Sequence, residues 1–462
     1  MKSNDIKYRN LILICICLVG FASCKKDFLE AKPSTSLLLL RSITDYQFLL
    51  NNTTVFNQTG SLPFASTDEI DVPDYATYLS FEAQTTRNSY IWSKDLYGSD
   101  LKIEDWNRPY KAIFFSNSVL EALPNDEQVG SSEWRRTKGW ALFGRAFAYY
   151  DLVGNFCKPY DSQTAQSDKG LPLRLKPGID DLLPRSNLKD TYALILSDLI
   201  QSKELLTNDL SVNFRNEPSK AAVFALLARI HLSMRDYNKA ESYADSCMLI
   251  YKKLIDYNTV TANVTTPFNF FNDETIYQST QINGYNEVIT TTTGQYTIRT
   301  ELLDSYDDND LRRTVFFVTH ANGRVYKRRG YSGRANHFTG LATNEIYLIK
   351  AECAARRSNV TIALKYLNDL LINRYKTDSF IPRVGTIPAE VLQIVLTERK
   401  KELVRTGLRW SDLKRYNKEG ANIKLTRVLN GVTYTLEPND PRYIYPIPND
   451  EIAYSGIEQN AR

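Results

Sequence analysis

Apolar residues recur every three or four positions in nine stretches of the 462-residue chain, the spacing that places them on one face of an α-helix. The predicted helices are 44–51, 105–122, 133–153, 189–206, 219–233, 237–252, 344–357, 360–374 and 388–416. Asp190, Ser219 and Pro388 stand near the start of three of these stretches, where capping and first-turn residues are expected. The sequence therefore predicts a mainly α-helical fold.

Two stretches, 53–100 and 257–340, lack this spacing and mix Tyr, Thr, Asn and Gly with short alternating runs. Thr314 to Val318 is one such run, and its alternation predicts a strand. We expect long irregular loops with small β-hairpins in both stretches. Since loops lie on the surface, they are also where we expect ligand contacts.

Two of the helical pairs repeat each other at a constant offset. The matched positions are Ala228, Ala240, Tyr243 and Ala244 in the first pair and Ala351, Ala363, Tyr366 and Leu367 in the second. Small residues at equivalent places let antiparallel helices approach closely, as in tetratricopeptide units. Two unrelated hairpins of similar length are the alternative. A third candidate pair extends from Trp106 to Asn155. The predicted fold is a tetratricopeptide-like scaffold of helical hairpins.

The N-terminus has the pattern of a secretory signal. Three basic residues precede an apolar run at 11–23, which is too short to span a bilayer and ends at Cys24. Small residues precede Cys24, and 21–24 resembles a bacterial lipobox, so we predict that the signal is removed and that Cys24 is acylated. Two acyl chains there suffice for stable anchoring. A buried core helix is the alternative for the apolar run. The expected parts are a signal peptide at 1–23, a lipid-anchored tether at 24–43, an N-terminal helical region at 44–256 and a C-terminal region at 257–462 with helices at 344–416.

The formal charge of +4 on so long a chain predicts neither nucleic acid nor a polyanionic surface as the partner. Cys157, Cys247 and Cys353 each lie inside an apolar helical pattern. We expect buried thiols there and neither a disulfide framework nor a zinc site. Aromatic residues make up 12% of the chain, with 29 tyrosines, a density typical of surfaces that stack on ligands or of a well-packed core.

Catalytic signals are weak. None of the three histidines has a second histidine at metal-ligand or triad spacing. Asp307, Asp308 and Asp310 are closely spaced acids, but their adjacency does not establish the two-carboxylate geometry of a glycosidase. A solvated turn explains them, and calcium stays open although their spacing is not that of a recognised loop. We expect a protein that is not an enzyme, and no cofactor is implied.

Landmarks spread along nearly the whole chain, in a fixed order, resemble one family. They are 24–30, Trp106 with 110–113 and Asn117, 145–152, 170–173, 345–352, 398–403, 407–415 and 445–452. This ordered set resembles the SusD/RagB family of outer-membrane nutrient-binding lipoproteins. The resemblance implies a helical core with four tetratricopeptide-like units and an irregular ligand-bearing region. It also implies a partner, a SusC-type TonB-dependent outer-membrane barrel over which the lipoprotein sits as a lid.

The charged landmarks near the C-terminus also have a structural interpretation. Glu398, Glu402 and Arg405 recur at three or four residues, so that acids and bases can pair along one helix face. Arg409 follows the break at 406–407, where its guanidinium can bridge a carboxylate and helix-end carbonyls. We interpret these residues as scaffold.

A sugar ring has an apolar face and a rim of hydroxyls, so its receptor needs a flat aromatic side chain beside amide and guanidinium groups. Peptides can use the same groups. The candidate ligand residues from the two irregular stretches are Tyr75, Tyr78, Tyr90, Trp92, Tyr97, Tyr285, Tyr296, Arg299, Tyr331 and Arg334. For Trp92, a place in the core beneath the loop is the alternative.

We therefore expect a cell-surface lipoprotein of the outer membrane that faces the cell exterior, captures an oligosaccharide and delivers it to a SusC-type transporter. A peptide-binding, RagB-like lipoprotein is the nearest alternative. A surface glycosidase and a helical-repeat scaffold that binds only proteins are alternatives of other classes.

Overall fold

Helical hairpins on the periodic stretches form the frame of the molecule. The structure, a computed structural model, describes residues 41–178, 181–210, 213–284 and 295–462. Its helices are α1 (Ile43–Leu50), α2 (Thr53–Phe56), α3 (Leu62–Ser66), α4 (Tyr75–Leu79), α5 (Gln84–Tyr90), α6 (Glu104–Ala122), α7 (Ser132–Phe156), α8 (Leu188–Leu205), α9 (Lys220–Ser233), α10 (Tyr237–Ile250), α11 (Thr300–Leu303), α12 (Arg312–Phe316), α13 (Thr343–Arg356), α14 (Val360–Leu371), α15 (Pro388–Glu402), α16 (Arg409–Lys418) and α17 (Asn449–Ser455). Each predicted helical stretch begins within one residue of an observed helix. The mainly α-helical fold is confirmed.

Side-chain caps explain where several of these helices begin. The Ser131 hydroxyl accepts a hydrogen bond from the amide of Trp134 at the start of α7, and Ser219 caps α9 in the same way. At α8 the cap is Asn187, whose side-chain oxygen lies 2.7 Å from the amide of Asp190. Asp190 thus lies in the first turn, where a negative charge complements the helix dipole.

The predicted repeat extends to the turns of both hairpins. Arg235 (φ 63°) and Ser358 (φ 60°) end the first helix of each pair in the left-handed conformation. The next residues, Asp236 and Asn359, cap the second helix with their side chains. These turn residues keep the offset of the paired alanines, so the two hairpins share their turn geometry as well as their helix contacts.

Close helix contacts depend on small residues. Ala228, Ala240, Ala351 and Ala363 are fully buried within the two hairpins. In the third pair, α6 and α7, a Cβ at Gly139 would lie 2.9 Å from the side chain of Leu206. A larger residue there would push α8 away from α7.

The strands are short, and three of the six strand pairs in the described residues join distant segments. They are β1 (Gln58–Thr59), β2 (Ile70–Asp71), β3 (Lys169–Pro172), β4 (Arg185–Asn187), β5 (Thr275–Tyr277), β6 (Thr280–Gln281), β7 (Thr297–Ile298), β8 (Phe317–Thr319), β9 (Val325–Lys327), β10 (Leu341–Ala342), β11 (Leu425–Leu429) and β12 (Val432–Leu436). β1 pairs in parallel with β6, and β2 pairs antiparallel with β7. The two irregular stretches are therefore joined by backbone hydrogen bonds.

Local predictions within the irregular stretches were partly wrong. The segment 53–100 holds four short helices, and its strands pair with the distant β6 and β7 instead of forming local hairpins. The run Thr314 to Val318 is split between α12 and β8, and only the latter pairs, with β9. Backbone groups in these segments find their partners across the fold, and such partners leave no local periodicity in the sequence.

Buried ion pairs fix the second irregular stretch to the C-terminal helices. The fully buried guanidinium of Arg312 contacts Asp310 at 2.7 Å, Glu398 at 2.6 Å and Glu402 at 3.1 Å. Arg374 contacts the other oxygen of Glu402 at 2.9 Å and Glu274 at 2.8 Å. The C-terminal charges therefore act as scaffold, as the sequence interpretation states.

Asp310 corrects the expectation of a solvated turn. Its side chain is fully buried, and it also pairs with Lys401 at 3.0 Å. Although burial opposes ionisation, the Arg312 guanidinium holds the pKa of Asp310 below its ordinary value. Its neighbour Asp308 is fully exposed, so the three acids do not form one carboxylate cluster.

Cys157, Cys247 and Cys353 are free and buried, as predicted.

None of the helices in the described ranges combines the length and hydrophobicity that a bilayer crossing requires.

Replacing the central arginine tests the ion network. Arg312→Met removes the cation that three buried carboxylates share. We therefore expect the free energy of unfolding to fall by about 3–5 kcal/mol. Arg313→Met is the matched control, since this neighbouring arginine is about half exposed and we expect a change below about 0.5 kcal/mol. Urea unfolding followed by circular dichroism measures both, and equal midpoints for the two variants would contradict the assignment.

Candidate ligand-binding surface

Four strands bring the two irregular stretches together at one face of the molecule. β2 pairs with β7, and β8 pairs with β9. The Thr297 hydroxyl of β7 joins the two pairs, accepting from the amide of Val325 at 3.0 Å. Residues 71–80, 295–299 and 320–325 thereby become neighbours, and we refer to them together as the loop face.

The helix α4 gives the loop face a flat aromatic surface. Asp74 caps this helix, its carboxylate accepting from the amide of Thr77 at 2.7 Å. Tyr75 is 40% exposed and stacks on the buried ring of Tyr78, with centroids 5.8 Å apart and planes 17° apart. Burial raises the pKa of Tyr78 to about 12, so its phenol stays neutral. The exposed neighbour Leu79 extends the apolar area.

Polar groups surround this aromatic surface. The Arg324 guanidinium lies 3.2 Å from the Asp74 carboxylate and joins the β8–β9 hairpin to α4. The Gln295 amide donates to the Ser80 hydroxyl at 3.3 Å. Guanidinium, carboxylate and amide groups therefore lie beside an exposed ring, the set of groups that a sugar or a peptide needs.

Arg299, directly after β7, adds a second guanidinium. Its Nε lies 3.5 Å from Asp71 and 3.3 Å from Glu301, and about a quarter of the side chain is exposed. Both acids keep this guanidinium charged; they raise its pKa although burial opposes that. The guanidinium is therefore charged, paired with two acids and partly exposed.

A buried arginine supports the loop face from below. The Arg427 guanidinium lies 3.7 Å from the ring centroid of Tyr90 and 4.6 Å from that of Trp92. It donates to the backbone carbonyls of Ala65 and Thr67 as well. The Trp92 indole donates to another carbonyl of this segment at 2.9 Å. These contacts lie within the segment that carries α4, and they restrain its backbone.

The structure distributes the predicted ligand residues unequally. Tyr75, Tyr78, Arg299 and the backbone of Tyr296 belong to the loop face. Six of the predicted aromatic side chains are buried: Tyr78, Tyr90, Trp92, Tyr97, Tyr296 and Tyr331. Cys24 and Tyr285 lie outside the described residues. Ligand contact by the predicted residues stays a prediction.

Three candidates have contacts away from the loop face. Tyr97 donates to the carbonyl of Pro446, and Tyr331 donates to Glu274 at 2.7 Å. Arg334 is exposed, with its guanidinium 4.2 Å from the Phe270 ring centroid. The structure does not bring these three residues together with Tyr75.

Sequence reasoning missed two polar residues of the loop face, Arg324 and His320. Neither has an aromatic neighbour in sequence, and both lie at the tip of the β8–β9 hairpin. Their place follows from strand pairing across the fold. A correct strand register for 317–327 would have been the signal, and the sequence assigned the strand to Thr314–Val318 instead.

The buried Asp105 and the half-buried Asp151 hold the start of the first irregular stretch. The amide of Gly60 donates to Asp151 at 2.9 Å, and the amides of Ser61 and Leu62 donate to Asp105 at 2.6 and 2.9 Å. Burial and the nearby Asp105 carboxylate raise the pKa of Asp151 to about 8. Asp151 is therefore protonated at neutral pH.

This shift predicts a pH dependence of stability. An aspartate whose pKa is raised on folding binds a proton more tightly in the folded state, so its contribution falls as the pH rises toward about 8. Asp151→Asn mimics the protonated form of the side chain. The variant should therefore not lose stability through this group as the pH rises. We expect the wild type to lose stability relative to the variant between pH 6 and 9, as measured by urea unfolding. Parallel curves for the two proteins would contradict the assignment.

Within the described ranges, no group of three or more His, Cys, Asp or Glu side chains is arranged to hold a metal ion.

Family models match almost the whole chain. Residues 27–232 match a family described as starch-binding and associating with the outer membrane, and residues 232–461 match the SusD family. The chain belongs to the SusD/RagB family. The SusD-like protein P38 of Formosa agariphila is 22% identical over an alignment of 533 positions that covers 96% of each chain. The SusD-like protein P2 of the same organism is 25% identical over 75% of this chain and 77% of its own.

Solved structures of the SusD superfamily share the fold. A protein from Bacteroides vulgatus superposes with a TM-score of 0.72 at 22% identity, over 91% of this chain and 99% of its own. One from Bacteroides thetaiotaomicron gives 0.73 at 21% identity, over 91% and 100%. A SusD-like carbohydrate-binding protein from Bacteroides vulgatus gives 0.67 at 19% identity, over 90% and 97%. At these identities the comparison supports the fold of the SusD/RagB protein.

Proposed function

We propose that this SusD/RagB protein binds an oligosaccharide at the loop face. The observation that carries the proposal is the exposed Tyr75 ring, stacked on Tyr78 and bordered by the Asp74–Arg324 ion pair. The flat ring fits the apolar face of a sugar, and the polar groups fit its hydroxyl rim. The family models and the carbohydrate-binding relative support the same ligand class.

The protein acts by binding and not by catalysis in this proposal. The loop face holds two acids, and each lies against a guanidinium: Asp74 is 3.2 Å from Arg324, and Asp71 is 3.5 Å from Arg299. A glycosidase needs one protonated and one ionised carboxyl across the bond. Hydrogen bonds from the amide and hydroxyl of Thr77, followed by the charge of Arg324, lower the pKa of Asp74, which disfavours the acid role.

The proposal includes a lipid anchor and a transport partner. Acyl chains on Cys24 would hold the protein at the outer membrane, facing the exterior, beside a SusC-type TonB-dependent barrel. Tethering to the same membrane raises the effective concentration of the partner, so a modest affinity suffices. The oligosaccharide would then pass from the loop face to the barrel.

Substitutions at the loop face test the ligand site. We expect Tyr75→Ala to weaken oligosaccharide binding by about 10-fold or more and Arg324→Met by a similar factor, since each removes one of the direct contacts. Calorimetry on the protein without residues 1–24, after a screen of glycan and peptide panels, measures the affinities.

Tyr454→Ala is the matched control for the aromatic substitution. Tyr454 is 57% exposed on α17, outside the loop face, and we expect less than a twofold change. If the protein binds only peptides, the ligand class is peptide and not oligosaccharide. If Tyr75→Ala binds with the affinity of the wild type, the site assignment is contradicted.

The anchor has its own test. We expect Cys24→Ala to abolish palmitate labelling and to release the protein from the membrane fraction, because the acyl chains are its membrane attachment. Crosslinking of the wild type should capture an outer-membrane barrel. Unchanged labelling in the variant would contradict the assignment of Cys24.

A further inference from the structure

A cavity in the interior lies behind the β8–β9 hairpin and is distinct from the loop face. The volume of this cavity is about 40 Å³. A cavity of this volume can hold a few small atoms, because one water molecule needs about 10–15 Å³. It is too small for a sugar ring. Lys327 of β9, His337 and the end of α15 line it. Any occupant is therefore a small ion or water.

Lys327 is the unusual member of the lining. Its side chain is 5% exposed, and its ammonium lies 4.0 Å from the ring centroid of Phe316 and beside Gly330. In the described part of the chain, no carboxylate lies within 4.0 Å of this nitrogen, and it has no hydrogen-bond partner there. A buried ammonium without a partner is costly. Burial lowers the pKa of Lys327 to about 7.

His337 is a second buried polar side chain of the lining, and one of its ring nitrogens has no hydrogen-bond partner among the described residues. It is 3% exposed, its ring stacks on Phe64, and the nitrogen in question is Nε2. Burial and the charges of Arg405 and Lys327 hold the pKa of His337 well below its usual range. The imidazole is therefore neutral, and as the Nε2–H tautomer it donates a hydrogen bond.

Charges of both signs surround the cavity. Glu69, outside the lining, accepts from the amide of Arg405 at 2.9 Å. Arg229, Lys327 and Arg405 line the cavity, together with the carboxylates of Glu345 and Glu402. Both carboxylates are already engaged. Glu345 receives the guanidinium of Arg229 at 2.6 Å, and Glu402 is shared by two buried guanidinium groups outside the cavity lining. The ammonium of Lys327 is left as the cation that a ligand would neutralise.

We propose that this cavity binds one small monovalent anion of the size of chloride, held by the Lys327 ammonium and the His337 imidazole. The apolar wall of Phe316, Phe338 and Leu403 suits a weakly hydrated halide better than a strongly hydrated anion. The bound anion supplies the missing partner of Lys327. It thereby stabilises β9, the strand that directly follows Arg324 of the loop face, whatever ligand that face takes.

Bromide diffraction tests this inference directly. Crystals of the protein grown in sodium bromide and measured at the bromine absorption edge should show an anomalous peak in contact with the Lys327 Nζ. Lys327→Met, which keeps the length of the side chain and removes its charge, should abolish the peak. Lys376→Met, at an exposed position outside the cavity, is the matched control and should keep it.

A solution measurement covers the case in which Lys327→Met does not fold. We expect the wild-type melting temperature to rise by about 2 °C or more in 300 mM chloride relative to gluconate at equal ionic strength, because the anion binds only the folded state. A cavity that contains only water in the bromide crystals overturns the proposal, as does a peak that persists in Lys327→Met. Equal melting temperatures in the two salts also overturn it.

Discussion

The fold depends on two fully buried arginines that share one carboxylate. Arg312 and Arg374 bind the two oxygens of Glu402, and each also binds an acid of the second irregular stretch. Charges in the interior are stable only when every partner is in place, since a lone buried ion is strongly destabilising. The stretch that carries half of the loop face is therefore held in one position against α15. A surface assembled from distant segments needs such a constraint.

Short strands connect the segments that the ion network holds in place to the loop face. The pairs β2–β7 and β8–β9 are only two or three residues long, and none would be stable alone. The ion network fixes Arg312, close before β8, and Arg427 binds the backbone at Ala65 and Thr67, close before β2. The outcome is that Tyr75 lies on one surface with Arg299 and Arg324, although more than two hundred residues separate it from either arginine. Rigid support beneath the site reduces the entropy lost when a ligand binds.

Features that depend on neighbouring residues could be predicted from the sequence, and features that depend on contacts between distant residues could not. The helices and the repeated hairpins follow from apolar spacing, and Ala228 and Ala351 were identified because small residues recur at a constant offset. Tyr90 was expected on the surface because its segment is irregular, and for Trp92 a place in the core was the alternative. Both rings are buried, and the Arg427 guanidinium, 335 positions after Trp92, lies over them. Asp310 was expected in a solvated turn because its ion partners on α15 are not visible in its own segment. Burial of a loop residue depends on what packs over it, and this information lies elsewhere in the chain.

Hydrogen exchange with and without a bound oligosaccharide tests the central claim most directly. If the loop face is the ligand site, amides at 75–80 and 322–325 should exchange more slowly in the complex, while those of the hairpin α9–α10 stay unchanged. Protection confined to the helical hairpins, with no change at 75–80 and 322–325, would contradict the account.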